Sequence, residues 1–125
     1  MPAMKFDPNS PIWLQVATDL ETNIAAGRIL PGDKLPGGRE LALSYSINPN
    51  TAARIYQELE REGVCMTRRG TGTFVTERED RIQTMKDHMA RQAADRFLAE
   101  LAGLGFSREE AVQWLLKEED VNDHE

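Results

Sequence analysis

The stretch that most confines what this chain can fold into runs from Asn48 to Thr76. Asn48-Pro49 reads as a helix start, an N-capping side chain followed by the one residue whose missing N–H costs nothing there. Ala52, Ile55, Tyr56 and Leu59 then recur at i, i+3, i+4 and i+7, the buried stripe of an amphipathic helix that Gly63 closes. Val64-Cys65-Met66-Thr67-Arg68 and Thr73-Phe74-Val75-Thr76 follow at once as two short strands. They flank Arg69-Gly70-Thr71-Gly72, a glycine-bearing, basic turn, so the segment predicts a β-hairpin.

The residues before this unit supply the helices it needs. Ser10-Pro11 predicts an N-cap and first helical position, and Ile12, Val16, Leu20 and Ile24 recur every four residues up to Gly27. Leu30-Pro31-Gly32-Asp33 predicts a turn. Leu35-Pro36-Gly37-Gly38 leads into a short helix from Arg39 to about Tyr45 that buries Leu41 and Ala42, and Ser46-Ile47 makes a tight connection. Two short helices joined in this way match a helix-turn-helix, and a hairpin directly behind one is a wing.

Beyond Thr76 the pattern is helical throughout. Ile82, Met85, Met89, Ala93, Phe97, Leu101 and Leu104 keep a helical period from about Arg81 to Leu104. Ser107-Arg-Glu-Glu110 is a capping box opening a second helix through Lys117, with Ala111, Trp114 and Leu115 apolar, and Glu118 to Glu125 is expected to fray. The fold class expected is mainly α with a small β-hairpin: a winged helix-turn-helix over residues 1–76, then a C-terminal helical hairpin over residues 77–125.

Charge restricts the partners. The net charge is −6, but residues 1–76 balance eight Lys and Arg against eight Asp and Glu, so the excess acid lies wholly in residues 77–125. Local clustering, not the total, decides nucleic-acid binding. Arg39, Arg54, Arg68 and Arg69 all fall where a winged helix could offer them. One cysteine, Cys65, excludes a disulfide framework and a cysteine-based zinc cluster, and is expected to be a small buried hydrophobe. His88 and His124 have no ligand spacing, and His124 is expected to be solvated. Gly70-x-Gly72 lies in a hairpin turn, the wrong context for nucleotide binding. No nucleophile–base spacing points to an enzyme, and no cofactor is expected. Without a signal peptide or an apolar span of about 18 residues, the cytoplasm is the expected location.

With the buried stripe turned inward, the third helix shows Asn50, Ala53, Arg54 and Gln57, with Thr51 at the flank. Asn and Gln can pair bidentately with adenine and Arg with guanine, each good pair giving about 1–3 kcal/mol of discrimination. Asn48 is weighted toward capping over base reading, and Tyr56 toward core. Arg68, Arg69 and Thr71 on the hairpin are candidates for phosphate contact.

These pieces together resemble the DNA-binding domain of the GntR family of bacterial transcriptional regulators. The resemblance rests on Leu35-Pro36-x-x-Arg39-Glu40-Leu41-Ala42, Asn48-Pro49-Asn50-Thr51, Arg54-x-Tyr56-x-x-Leu59-x-x-Glu62-Gly63 and Arg69-Gly70-x-Gly72-Thr73-Phe74-Val75. Pro11-Ile-Trp-Leu-Gln15 and Gly27-x-x-x-Pro31-Gly32 are similar to that family's opening helix and turn. The short tail and the Asn-Pro-Asn-Thr start resemble the YtrA subfamily. The resemblance implies a regulator, with repression the expected sign, that binds a palindromic operator as a homodimer. The helix at about 49–62 would lie in the major groove and the wing at about 64–76 on the backbone or in the minor groove.

The implied DNA contacts are Arg39, Asn48, Asn50, Thr51, Arg54, Gln57, Arg68, Arg69, Gly70 and Thr71. The implied dimer contacts are Ile82, Met85, Met89, Ala93, Phe97, Leu101, Trp114 and Leu115. Gly37 stands where the family's serine follows Leu-Pro. Pro49 and Ala53 stand where some relatives carry arginines, so the operators of those relatives do not transfer. A tail of 49 residues cannot readily enclose a separate effector cavity of the usual few hundred Å³, and whether an effector exists is left open. The competing expectation is a winged-helix protein-interaction module with no specific DNA site, which the net acidity favours.

Overall fold

The computed structural model describes residues 4–122, with side chains as far as Lys117. Helix α1 spans Ile12–Ala25, α2 Gly38–Tyr45 and α3 Pro49–Arg61; strands β1 (Cys65–Arg68) and β2 (Gly72–Val75) follow, then α4 (Glu79–Gly103) and α5 (Arg108–Asn122). These elements form two compact units, one through Lys86 and one from Asp87 onward.

The start of α1 differs from the sequence expectation. Pro11, not Ser10, occupies the N-cap, and no side chain caps the helix. A glutamine does related work from inside the first turn. Gln15 Nε2 donates to the carbonyls of Asp7 (2.7 Å) and Ser10 (2.9 Å), and its Oε1 accepts the Asp7 N–H at 2.8 Å. Proline in the cap position supplies no capping oxygen, and the Gln15 amide ties down the incoming chain instead. At the other end Gly27, at φ +79°, turns the chain so that Arg28 and Ile29 N–H both reach the Asn23 carbonyl (2.9 and 3.1 Å).

Helix α2 ends on Ser46 in the left-handed region (φ 55°), and Ile47 N–H returns to the Ala42 carbonyl at 2.9 Å. Asn48 then caps α3, its side-chain oxygen accepting the Asn50 N–H at 2.8 Å. The largest fully buried side chains are Val16 of α1, Leu41 of α2, Ile55 and Leu59 of α3, Val64, and Val75 of β2. Three helices and the base of the hairpin therefore share one core, where each such aliphatic side chain contributes roughly 1.5–3 kcal/mol on burial. Two phenols brace it: Tyr45 Oη donates to Asp19 Oδ2 at 2.7 Å, and Tyr56 Oη donates to the Pro36 carbonyl.

β1 and β2 pair antiparallel from Cys65 opposite Val75 to Arg68 opposite Gly72. A third segment that no alternation betrays lies along β2. Leu35 N–H donates to the Thr73 carbonyl (2.8 Å), Val75 N–H to Asp33 (2.9 Å) and Gly32 N–H to Val75 (3.1 Å), with Lys34 bridging Phe74. The expected turn at residues 30–33 thus delivers the chain into the wing.

In the second unit the expected capping box is present in both directions. Glu110 N–H donates to Ser107 Oγ (3.1 Å), and Ser107 N–H donates to Glu110 Oε1 (2.9 Å). α5 runs on to Asn122, five residues past the expected end at Lys117. Glu118 to Asn122 contain no glycine or proline to break the helix. The expectation for His124 lies outside the described residues.

Candidate nucleic-acid interface

The exposed face of α3 is the one expected from its buried stripe. Asn50, Ala53, Arg54 and Gln57 are exposed and Thr51 is half-buried, while Ala52, Ile55, Tyr56 and Leu59 face the core. Asn48 spends its side-chain oxygen on the cap, leaving its amide N–H group as the free end. Of the carboxylates on α3, Glu58 pairs with Arg61 at 3.3 Å, and Glu60 accepts the Thr67 N–H at 3.3 Å, fastening the helix to β1. Arg54 is left to a different partner: its guanidinium carbon lies 4.5 Å from the centroid of the Trp13 ring on α1.

The wing repeats that device, with Arg68 lying 5.2 Å from the Phe74 ring centroid. At its tip Thr71 N–H donates to the Arg68 carbonyl at 2.9 Å, and Gly70 takes φ +77°, a conformation open chiefly to glycine. Arg69, Gly70 and Thr71 are exposed there.

The start of α2 links the pieces. Arg39 lines one recess with Ser46, Ile47 and Pro49, at the opening of α3. Gly37 and Gly38 line a second, open groove with Lys34 and with Thr71, Gly72 and Thr73 of the wing. Bare backbone N–H groups, a lysine and a threonine hydroxyl suit phosphate oxygens, whereas Glu40 in the same groove adds a negative charge. Lys34 was not among the sequence candidates. Its place depends on the strand pairing of residues 32–35, which the local sequence does not announce.

Buried titratable groups belong to the framework. Burial pushes the Cys65 thiol up to about 12, with the Glu60 carboxylate adding to the effect, as suits the small buried hydrophobe expected there. Burial likewise raises the Tyr45 and Tyr56 phenols. Burial first, then the Glu62 carboxylate beside it, raises Glu21 on α1 to about 7. Among the described residues, no cluster of His, Cys, Asp or Glu is arranged to hold a metal ion, and no helix is long and apolar enough to cross a membrane.

Of the tail candidates, Met85 is buried, Ile82, Met89, Phe97 and Leu101 are half-buried, and Ala93 is exposed. Trp114 and Leu115 on α5 are 46% and 50% exposed, and Val112 and Leu116, which the sequence analysis did not single out, are 48% and 50% exposed. Their i, i+3, i+4 spacing (112, 115, 116) was the available signal.

Residues 13–75 match the family model described as bacterial regulatory proteins, gntR family. The chain is 38% identical to the HTH-type transcriptional regulator YhcF of Bacillus subtilis, covering 87% of this chain and 90% of that protein. It is 34% identical to the HTH-type transcriptional repressor YtrA of the same organism, covering 90% and 88%. A GntR family transcriptional regulator from Listeria monocytogenes superposes with a TM-score of 0.82 at 38% identity, over 90% of this chain and 98% of that one. The DNA-binding domain of AraR, solved in complex with operator ORX1, superposes at 0.55 and 28% identity, over 61% and 96%.

Proposed function

Since this chain belongs to the GntR family of bacterial regulatory proteins, we propose that it is a sequence-specific transcriptional repressor that binds a palindromic operator as a homodimer. One observation carries the reading. The capped N-terminal half of α3 exposes Asn50, Arg54 and Gln57, and it stands next in sequence to a wing whose tip exposes Arg69, Gly70 and Thr71. In this reading α3 enters the major groove, where Asn50, Thr51, Arg54 and Gln57 meet base edges. Arg39, Asn48, Arg68, Arg69, Gly70 and Thr71 hold the backbone and fix the register. The AraR domain bound to its operator supports DNA as the partner, and the repressor YtrA supports the sign.

Residues 77–125 act as the dimerisation region. Val112, Trp114, Leu115 and Leu116 each leave about half of a large apolar side chain in water, and a second copy is the partner that a symmetric operator requires. The protein works in the cytoplasm, where its DNA is. The competing reading, a protein-interaction module, draws on Leu43, which is 81% exposed on α2, and on the net charge of −6.

Selection from a pool of random duplexes with the full-length protein, followed by sedimentation of the bound complex, tests the proposal. An inverted repeat with two protomers per duplex is expected. Failure to enrich any sequence would favour the interaction module.

A further inference from the structure

We propose that Trp13 is a positioning residue for DNA binding: it does not touch DNA, but it holds the Arg54 guanidinium ready on the exposed face of α3. The inference deepens the DNA-binding reading and rests on it.

A mid-helix arginine with no tether samples many rotamers, and fixing a long side chain costs entropy at the moment of binding. The usual tether on a helix is a carboxylate three or four residues away. Glu58, four residues on, is the only one within that reach, and it pairs with Arg61 at 3.3 Å. Among the described residues no carboxylate pairs with Arg54. What it has is the Trp13 ring at 4.5 Å from its guanidinium carbon.

That choice of partner matters chemically. A carboxylate would consume N–H donors and neutralise the charge that an anionic partner needs. An aromatic face attracts the cation through its quadrupole and leaves the in-plane N–H donors available to a guanine edge or a phosphate. Trp13 is itself anchored. It is half-buried one turn before Val16 and Ala17, which are fixed in the core, so the ring is a firm platform.

The test is a double-mutant cycle on the full-length protein: wild type, Trp13→Leu, Arg54→Gln and the double variant. Each is titrated by fluorescence anisotropy against the duplex that the wild type enriches from a random pool. Trp13→Phe, which keeps an aromatic face, serves as the rescue, and thermal unfolding checks each fold. The expected result is about a fivefold loss for Trp13→Leu, recovery to within about twofold in Trp13→Phe, and no further loss from Trp13→Leu once Arg54 is glutamine. A loss that persists in the Arg54→Gln background, or no loss at all, would overturn the positioning role while leaving DNA binding intact. If the wild type enriches no duplex, the DNA-binding reading falls and this inference with it. The two failures are therefore told apart by whether the wild type enriches a duplex.

Discussion

The Tyr56 hydroxyl on α3 donates to the carbonyl of Pro36, so α3 is fastened to the loop that delivers Arg39. Tyr56→Phe removes that bond with little change in volume. A net cost of about 1 kcal/mol is expected, read as a lower urea midpoint at unchanged slope. Since Pro36 is exposed, water can satisfy the freed carbonyl, which keeps the loss modest. A variant as stable as the wild type would show that the bond contributes nothing net.

Stability should fall as pH rises through neutrality. Glu21 has its folded-state pKa raised to about 7, by burial and then by the Glu62 carboxylate. The folded protein therefore binds a proton that the unfolded chain releases at ordinary carboxylate pH. The stability this provides is fully present below about pH 4.5 and lost as pH rises through about 7. Glu21→Gln keeps a donor toward Glu62 without the charge. At pH 8 it should be more stable than the wild type by about 1 kcal/mol, a figure reduced for solvent screening of a half-exposed pair, and the difference should vanish near pH 4.5. Equal stability at pH 8 would count against the carboxylate pair.

Gly72 is required by its backbone, while the neighbour a side chain there would meet is the flexible end of Lys34. Its φ is +132°, and a Cβ there would sit 2.8 Å from Lys34 Cε. Gly72→Ala should destabilise by about 1–3 kcal/mol and displace the Lys34 ammonium from the wing. Gly38→Ala, at an ordinary φ with nothing within 4 Å of the added methyl, should leave thermal stability unchanged or slightly raised. Equal effects at the two positions would refute the assignment.

Cys65 should be inert in the native protein. It is 3% exposed, and its thiol is pushed up to about 12. At pH 8, labelling by a disulfide reagent should therefore track unfolding as urea is added. Rapid labelling in native buffer would contradict this.

Much of this was legible in the sequence because local signals and tertiary needs agree. Asn48-Pro49, the stripe Ala52, Ile55, Tyr56 and Leu59, and Gly63 all mark one helix with its buried face known, so the opposite face was known too. The same holds for the capping box at Ser107. What stayed hidden depends on partners distant in sequence. Lys34 joins the wing only because residues 32–35 hydrogen-bond along β2, and so short a stretch after a turn has no periodicity to detect. Trp13 looks like any apolar residue on α1 until α3 brings Arg54 to within 4.5 Å of it. The Ser10 cap failed because proline itself took the cap position and Gln15 served the preceding chain.

The central claim is that the face formed by α3 and the wing binds DNA. Its most direct test is a salt titration of anisotropy-measured affinity for the selected duplex, comparing wild type with Arg54→Glu and Arg69→Glu. DNA binding through this face predicts a loss of at least about tenfold for each reversal. It also predicts a slope of log affinity on log salt that is shallower by about one unit for each phosphate contact removed. Wild-type affinity and slope in both variants would contradict it and point to the interaction-module reading.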